Sequence, residues 1–245
     1  MNRKYLAFGG AAGLALVVFA VWFLIFRDTA PEVVSLDSAV GVVTTTAAGD
    51  SATTTTAVPA GALDGIWVVD TAIGAGVVED SSFVGYRVQE ELANIGAKTA
   101  VGRTTALFGT LEFAGSTLET ASITADLTQL ASDSRGRDRQ IRTQALETNQ
   151  FPEATFTLTA PVDLGAAPAD GQSFTVEAAG DLTIHGVTQP VTITIDGQLI
   201  GTTVVVVGRV PITFADYDID TPRAAVVLSI EGDGEMEFQL FLTKS

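Results

Sequence analysis

Between Gly65 and Ser245 apolar and polar residues alternate, and a period of two marks β-strands with one face buried. The longest row runs through Phe174, Val176, Ala178, Gly180, Leu182 and Ile184, interleaved with Thr175, Glu177, Ala179, Asp181 and Thr183. The same alternation groups Leu107, Gly109, Leu111 and Phe113, then Ala121, Ile123, Ala125 and Leu127, then Phe156 with Leu158, then Val191, Ile193 and Ile195. Later rows are Val204, Val206, Val210, Ile212 and Phe214, then Val226, Leu228 and Ile230, and finally Met236, Phe238, Leu240 and Leu242. With the stretches from Ile66 to Val69 and from Phe83 to Leu92, about eight to ten strands are predicted.

Short turns between successive strands force antiparallel pairing, because a parallel return needs about a dozen or more connecting residues. One segment reads as helix: SRGRDRQIRTQAL at 134–146, with Asp133 or Ser134 as N-cap and a stop before Phe151-Pro152. The pattern predicts an all-β antiparallel sheet, curled or closed, with one inserted helix. Closure is favoured because VVVV at 204–207 would make an aggregation-prone bare edge. An immunoglobulin-like sandwich is the alternative.

The first quarter of the chain differs. Tyr5 to Phe26 is a 22-residue run without a charge, and as a helix it would measure about 33 Å, enough to cross the hydrocarbon layer of a bilayer. Arg3 and Lys4 precede the run and Asp28 offsets Arg27, so the cationic bias predicts a cytoplasmic N-terminus and an extracytoplasmic remainder. A cleaved signal peptide is the competing reading; the run exceeds the usual apolar length, and no strong A-x-A site follows before Asp28. Residues 28–63 contain VVTTTAAGDSATTTTAVPAGA and show no helical or strand period, which predicts a flexible Thr/Ala-rich linker, either glycosylated or a plain spacer. The organisation is therefore 1–27 stub and transmembrane helix, 28–63 linker and 64–245 β-domain.

Charge and cysteine content narrow the function. From Asp28 onward there are 10 basic and 29 acidic residues, a net charge of −19, which argues against nucleic acid as a partner. With no cysteine in the chain, disulfides and sulfur redox chemistry are excluded. The single histidine, His185, stands before Gly186 between two apolar rows, which reads as the corner of a tight hairpin; a triad or metal role would need partners that the sequence does not identify. DYDID at 216–220 opens like a calcium loop, but Thr221 stands where glycine is needed and Val227 where the bidentate glutamate belongs, so no metal site is assigned.

Taken in order, SSFVGYRV, SITADLTQL, the DRQIR helix, FPEATFTL, GDLTIHGVTQPVTI, VPITFADYDID and EMEFQLFLTKS resemble the YceI-like family of extracytoplasmic lipid-binding domains, also called polyisoprenoid-binding proteins, over residues 65–245. The resemblance implies an eight-stranded antiparallel lipocalin-like barrel enclosing a long isoprenoid chain, with no catalytic residues and no cofactor. Many members carry a His-Ser pair and a second histidine along the second strand; this chain has SSFVGYRVQEEL there, and its N-terminal anchor is a further departure.

An eight-stranded barrel is wide enough to be filled by side chains or to hold one small ligand. The small inward residues Ala178, Gly180, Gly109, Gly85 and Gly208 fit either an open slot or bulges and corners. The expected lining is Val84, Tyr86, Leu111, Phe113, Ile123, Phe156, Phe174, Val176, Leu182, Ile193, Ile212, Leu228, Phe238 and Leu240. Arg135, Arg139 and Arg142 share a helical face that could hold an anionic headgroup, against the plainer reading of a solvated face paired with Asp133, Asp138 and Glu147. The expected partner is an isoprenoid-like lipid or quinone, with the membrane reached through the N-terminal helix; pairing into a homodimer is left open. The rival expectation is a cell-surface interaction domain with a solid core.

Overall fold

A computed structural model describes residues 30–48, 63–93, 95–222 and 227–245. The apolar run at 5–26, most of the Thr-rich stretch and Val226 lie outside the described residues. Among the described residues no helix is long and apolar enough to cross a membrane.

The elements are α1 (Leu36–Ala48), β1 (Gly65–Val69), β2 (Phe83–Leu92), β3 (Gly96–Thr104), β4 (Leu107–Ala114), β5 (Thr117–Asp126), β6 (Ala131–Ser132), α2 (Arg135–Gln140), β7 (Glu153–Leu158), β8 (Val162–Asp163), β9 (Ser173–Ile184), β10 (Val187–Ile200), β11 (Thr203–Thr213), β12 (Val227–Ile230) and β13 (Asp233–Lys244). Every pairing is antiparallel. Eight strands form a closed ring in the order β1, β4, β5, β7, β9, β10, β11, β13, and β13 returns to β1. The sandwich alternative is thereby excluded.

β13 closes the ring by dividing one of its edges. Leu242 to Lys244 pair with β1, whereas Glu235 to Gln239 pair with β2, which carries β3 and β6 beyond it. The barrel is sealed by β1 at one end and flares into the β2–β3 flap at the other. At the sealed end Leu63, Trp67 and Leu199 are buried, and the Trp67 indole N–H donates to the Leu63 carbonyl at 2.7 Å. At the flared end, α2 continues into a π-helical turn, Ile141–Ala145, beside the mouth.

Residues 28–63, expected from their composition to be an unstructured linker, contain α1, and this expectation is corrected over Leu36–Ala48. β-Branched Val40, Val42, Val43 and Thr44 with Gly41 make weak helix formers, so local propensity gives no helical signal. Tertiary packing supplies it instead. Ala39 and Val43, one turn apart, are buried with Val205, Val207 and Phe241 on the outer surface of β11 and β13, and the Ser35 hydroxyl caps the helix by accepting the Ser38 N–H at 3.3 Å. This explains VVVV: Val204 and Val206 belong to the inner core and Val205 and Val207 to the outer one. The run is a central strand covered on both faces, not an edge.

Beside α1, on the outer face of the flap, Glu237 is fully buried and accepts from Arg103 Nη2 at 2.7 Å and from Arg87 Nε at 3.3 Å. Arg103 stacks on the Phe83 ring at 4.2 Å. The remaining guanidinium N–H groups grip the incoming chain: Arg87 Nη2 donates to the Pro31 carbonyl at 2.7 Å, and both arginines donate to the Glu32 carbonyl at 3.0 Å. The segment 30–48 is thus part of the folded domain.

Candidate binding cavity

The inward rows of the ring do not meet at the axis. They leave a cavity of about 350 Å³ at the flared end and a deeper one of about 110 Å³, and the two share Val84, Ala154 and Met236 in their walls, which makes one lumen with a neck. The larger part falls within the roughly 300–1,000 Å³ of small-molecule sites. A solid core, one of the sequence alternatives, is excluded by this space.

The inward glycines explain how so many aromatic rings leave a lumen open. The rings of Phe156, Phe174 and Phe238 pack against Gly180, Gly197 and Gly208 on the neighbouring strand, so close that a methyl group on any of these glycines would stand about 2.4 Å or less from the ring. These glycines are neither empty slots nor bulges; they make room for the rings on the neighbouring strand.

Thirteen of the fourteen residues expected to line the interior do so. Leu228 does not: β12 is a short strand added to the outer end of β2, outside the ring, and the Leu228 side chain is 66% exposed while Val227 and Ile230 turn to the mouth. The deep part is apolar but for Thr155. The mouth is mixed, with Tyr86, Glu90, Arg137, Asp220 and Glu235 among aliphatic and aromatic residues.

Arg135, Arg139 and Arg142 are exposed, as on the solvated face of the plainer reading, and line no part of the lumen that a headgroup contact would require. Arg137 does instead, on the face of α2 that continues through Ile141 and Ala145. That signal was present in the sequence, since an arginine four residues before a buried-type isoleucine shares its helical face. The plainer reading of the arginine pairs is also redrawn: Asp133 pairs with Arg137, Asp138 accepts from the Ser132 hydroxyl at 2.6 Å, and Glu147 serves His185. Arg137 also pairs with buried Glu90. Burial works to lower the Arg137 pKa, but Glu90 and Asp133 outweigh it and hold the guanidinium charged. Burial pushes the Tyr86 phenol well above its ordinary value, against the opposing pull of Arg137.

His185 and Gly186 form the two-residue turn between β9 and β10, both with positive φ (52° and 75°), so the hairpin corner is observed. The imidazole, however, is largely buried rather than lying on a polar surface. Its Nδ1 is 3.2 Å from the Tyr217 carbonyl, its Nε2 is 3.1 Å from the Glu147 carboxylate, and Phe151 meets the ring edge-on at 4.6 Å between centroids. Phe151 also lies against Gly186, where a methyl group would stand 2.6 Å from it. His185 joins the hairpin, the end of the helical insert and the DYDID turn at the rim, and both of its nitrogens are engaged by the protein.

The comparisons with known proteins agree with this architecture. The model of the YceI-like domain matches residues 77–242. A UPF0312 protein of Vibrio parahaemolyticus is 31% identical over 119 residues, 45% of this chain and 58% of that protein, so the chain spans less than two thirds of that relative's length. Among solved structures, a polyisoprenoid binding domain from Saccharophagus degradans superposes with a TM-score of 0.57 at 22% identity, over 73% of this chain and 98% of that one. BcnA of Burkholderia cenocepacia gives 0.53 at 21% identity, over 71% and 98%. These two likenesses concern the fold. The family match covers most of the chain and coincides with the barrel, and the chain belongs to the YceI-like domain family.

Proposed function

We propose that this protein binds an isoprenoid-like lipid or quinone in the lumen of its barrel and keeps it from water, without breaking bonds. The observation that carries the reading is the pair of adjoining cavities inside the barrel, an apolar deep part and a larger part with a mixed mouth at the flared end. Each buried methylene-sized group gains about 0.8 kcal/mol, so one five-carbon unit gains about 4 kcal/mol before ordering costs. A branched chain matches a cavity walled by aromatic rings and branched aliphatics. The polyisoprenoid binding domain from Saccharophagus degradans, which shares the fold, supports the same ligand class.

The location follows the sequence. The run at 5–26 serves as an anchor and the barrel stands on the extracytoplasmic side. Since the chain is docked on the barrel from Pro31, only residues 27–29 separate the end of that run from Ala30, and Phe26 to Ala30 spans at most about 14 Å. The barrel is therefore held close to the bilayer from which such a ligand would come.

The full-length chain, purified from its host and extracted with organic solvent, is expected to yield an apolar lipid by mass spectrometry at about one per chain. An extract without such a lipid, together with no uptake of an added polyprenol, would refute the reading.

A further inference from the structure

The N-terminal segment joins the barrel on its flared side. Arg87 Nη2 donates to the Pro31 and Glu32 carbonyls, and Arg87 lies opposite Glu235, two residues after β13 begins at the flared end. From there the segment runs away from the mouth. α1 packs on Val205 and Val207 with Ile200 beside it, and Ile200 pairs with Thr203, where β11 starts at the sealed end. The lead from the anchor run to this junction is short: Pro31 stands five residues after Phe26, a span of at most about 18 Å.

The flap reaches past the junction by a similar distance. β2 continues five residues from Arg87 to Leu92, about 17 Å at the rise of a strand, so the turn between β2 and β3 stands beyond the ring. Its tip is apolar. Leu92 lies opposite Val227 of β12, its carbonyl accepts the Ile95 N–H at 3.1 Å, and the side chains of Ile95 and Leu228 are exposed. Leu92 and Val227 also belong to the wall of the mouth, so that wall continues onto the tip. Ile66 and Phe108, strongly exposed on other strands, each stand opposite a polar residue, Glu112 and Thr124. Among the described residues around the tip, Glu91, Glu231 and Asp233 set three negative charges against the one positive charge of Lys98, so the surface that fits is apolar and uncharged rather than anionic.

We propose that the flared tip, formed by Leu92, Ile95, Val227 and Leu228, docks on the interface of a net-neutral phospholipid bilayer, the one that holds the run at 5–26, and seats the mouth of the barrel against the lipid. The proposal rests on the anchored, lumen-binding reading above and adds an orientation to it. So short a tether holds tip and lipid at high effective concentration, and a few apolar side chains then suffice to dock. A ligand passes between bilayer and lumen without crossing bulk water.

The full-length chain, reconstituted in phosphatidylcholine nanodiscs as Leu228→Cys or as Ile66→Cys, the latter at the sealed end, tests this; the native chain has no cysteine, so each variant carries a single bimane label. Nitroxide on the lipid chains is expected to quench the label at 228 and to leave the one at 66 unquenched, with weaker quenching at 228 in phosphatidylglycerol discs. Equal quenching at the two positions, none at 228, or stronger quenching in phosphatidylglycerol overturns the docking surface. A chain that does not stay with the discs overturns the anchor and the docking together. Ile95→Asp combined with Leu228→Asp should lower uptake of a fluorescent polyprenol from the disc lipid about tenfold and leave its uptake from dilute detergent unchanged. A fall from both sources, or from neither, contradicts the docking. No uptake by the native chain from either source overturns the lumen reading, and the quenching then decides the docking alone.

Discussion

His185 holds three segments of the mouth at once, and its value is structural. His185→Ala removes the bonds to Glu147 and the Tyr217 carbonyl, the edge-on contact with Phe151, and places alanine at a φ of 52°. The expected loss is about 1–3 kcal/mol in urea unfolding, with the family of strands intact by circular dichroism. The turn was legible from x-Gly between two apolar rows, but the side chain's partners come from residues 32 and 38 positions away and could not be read from local pattern. Arg137 teaches the same lesson in reverse: its helical face was readable, but the density of arginines around it drew attention to the exposed ones. Tyr86 carries the pH dependence. Its folded-state pKa lies above the ordinary value of about 10, as does that of Tyr217 through burial and Asp216, so their contribution is fully present below pH 10 and declines as pH rises beyond it. Unfolding free energy measured by urea titration should fall above pH 10, and Tyr86→Phe should flatten that fall.

At the scale of elements, alternation announced the strands because each ring strand has one face to the lumen, and the apolar rows expected on β9, β11 and β13 lie on the inner core. What alternation concealed was the second core. Glu237, Gln239 and Phe241 sit on the outward row of β13 and are buried as deeply as the inward one, since the segment 30–48 and the loop before β2 cover them. A polar residue in a period-two pattern is ordinarily taken to face water, and α1 has too little helix propensity to reveal itself as the cover. Glu237→Ala should cost about 3–5 kcal/mol by chemical denaturation, because Arg103 and Arg87 would lose their buried carboxylate partner, leaving Arg103 only the exposed Glu79 at 3.8 Å, and the grip on Pro31 and Glu32 would loosen with it. Leu228 was misplaced for a related reason. β12 shows apolar alternation, but it pairs with the outer end of β2 rather than entering the ring, and strand pairing is a property of distant residues.

At the scale of the whole molecule, closure depends on β13 meeting both β1 and β2, strands separated from it by more than 140 residues. No local signal encodes that meeting; it was anticipated only from the hazard of open edges and from the likeness to a known family. The lumen follows from closure together with the glycines that make room for Phe156, Phe174 and Phe238. Ala154 stands at the neck, in the walls of both parts of the cavity, so a large side chain there should shut the deep part while sparing the ring. The decisive measurement is equilibrium uptake of a fluorescent polyprenol by the full-length protein and by Ala154→Phe, with thermal unfolding of both as the control. Saturable uptake near one per chain by the native protein, lost at least about tenfold in the equally folded variant, is the predicted result. Equal uptake by both, or none by the native protein, would contradict a ligand held inside the barrel.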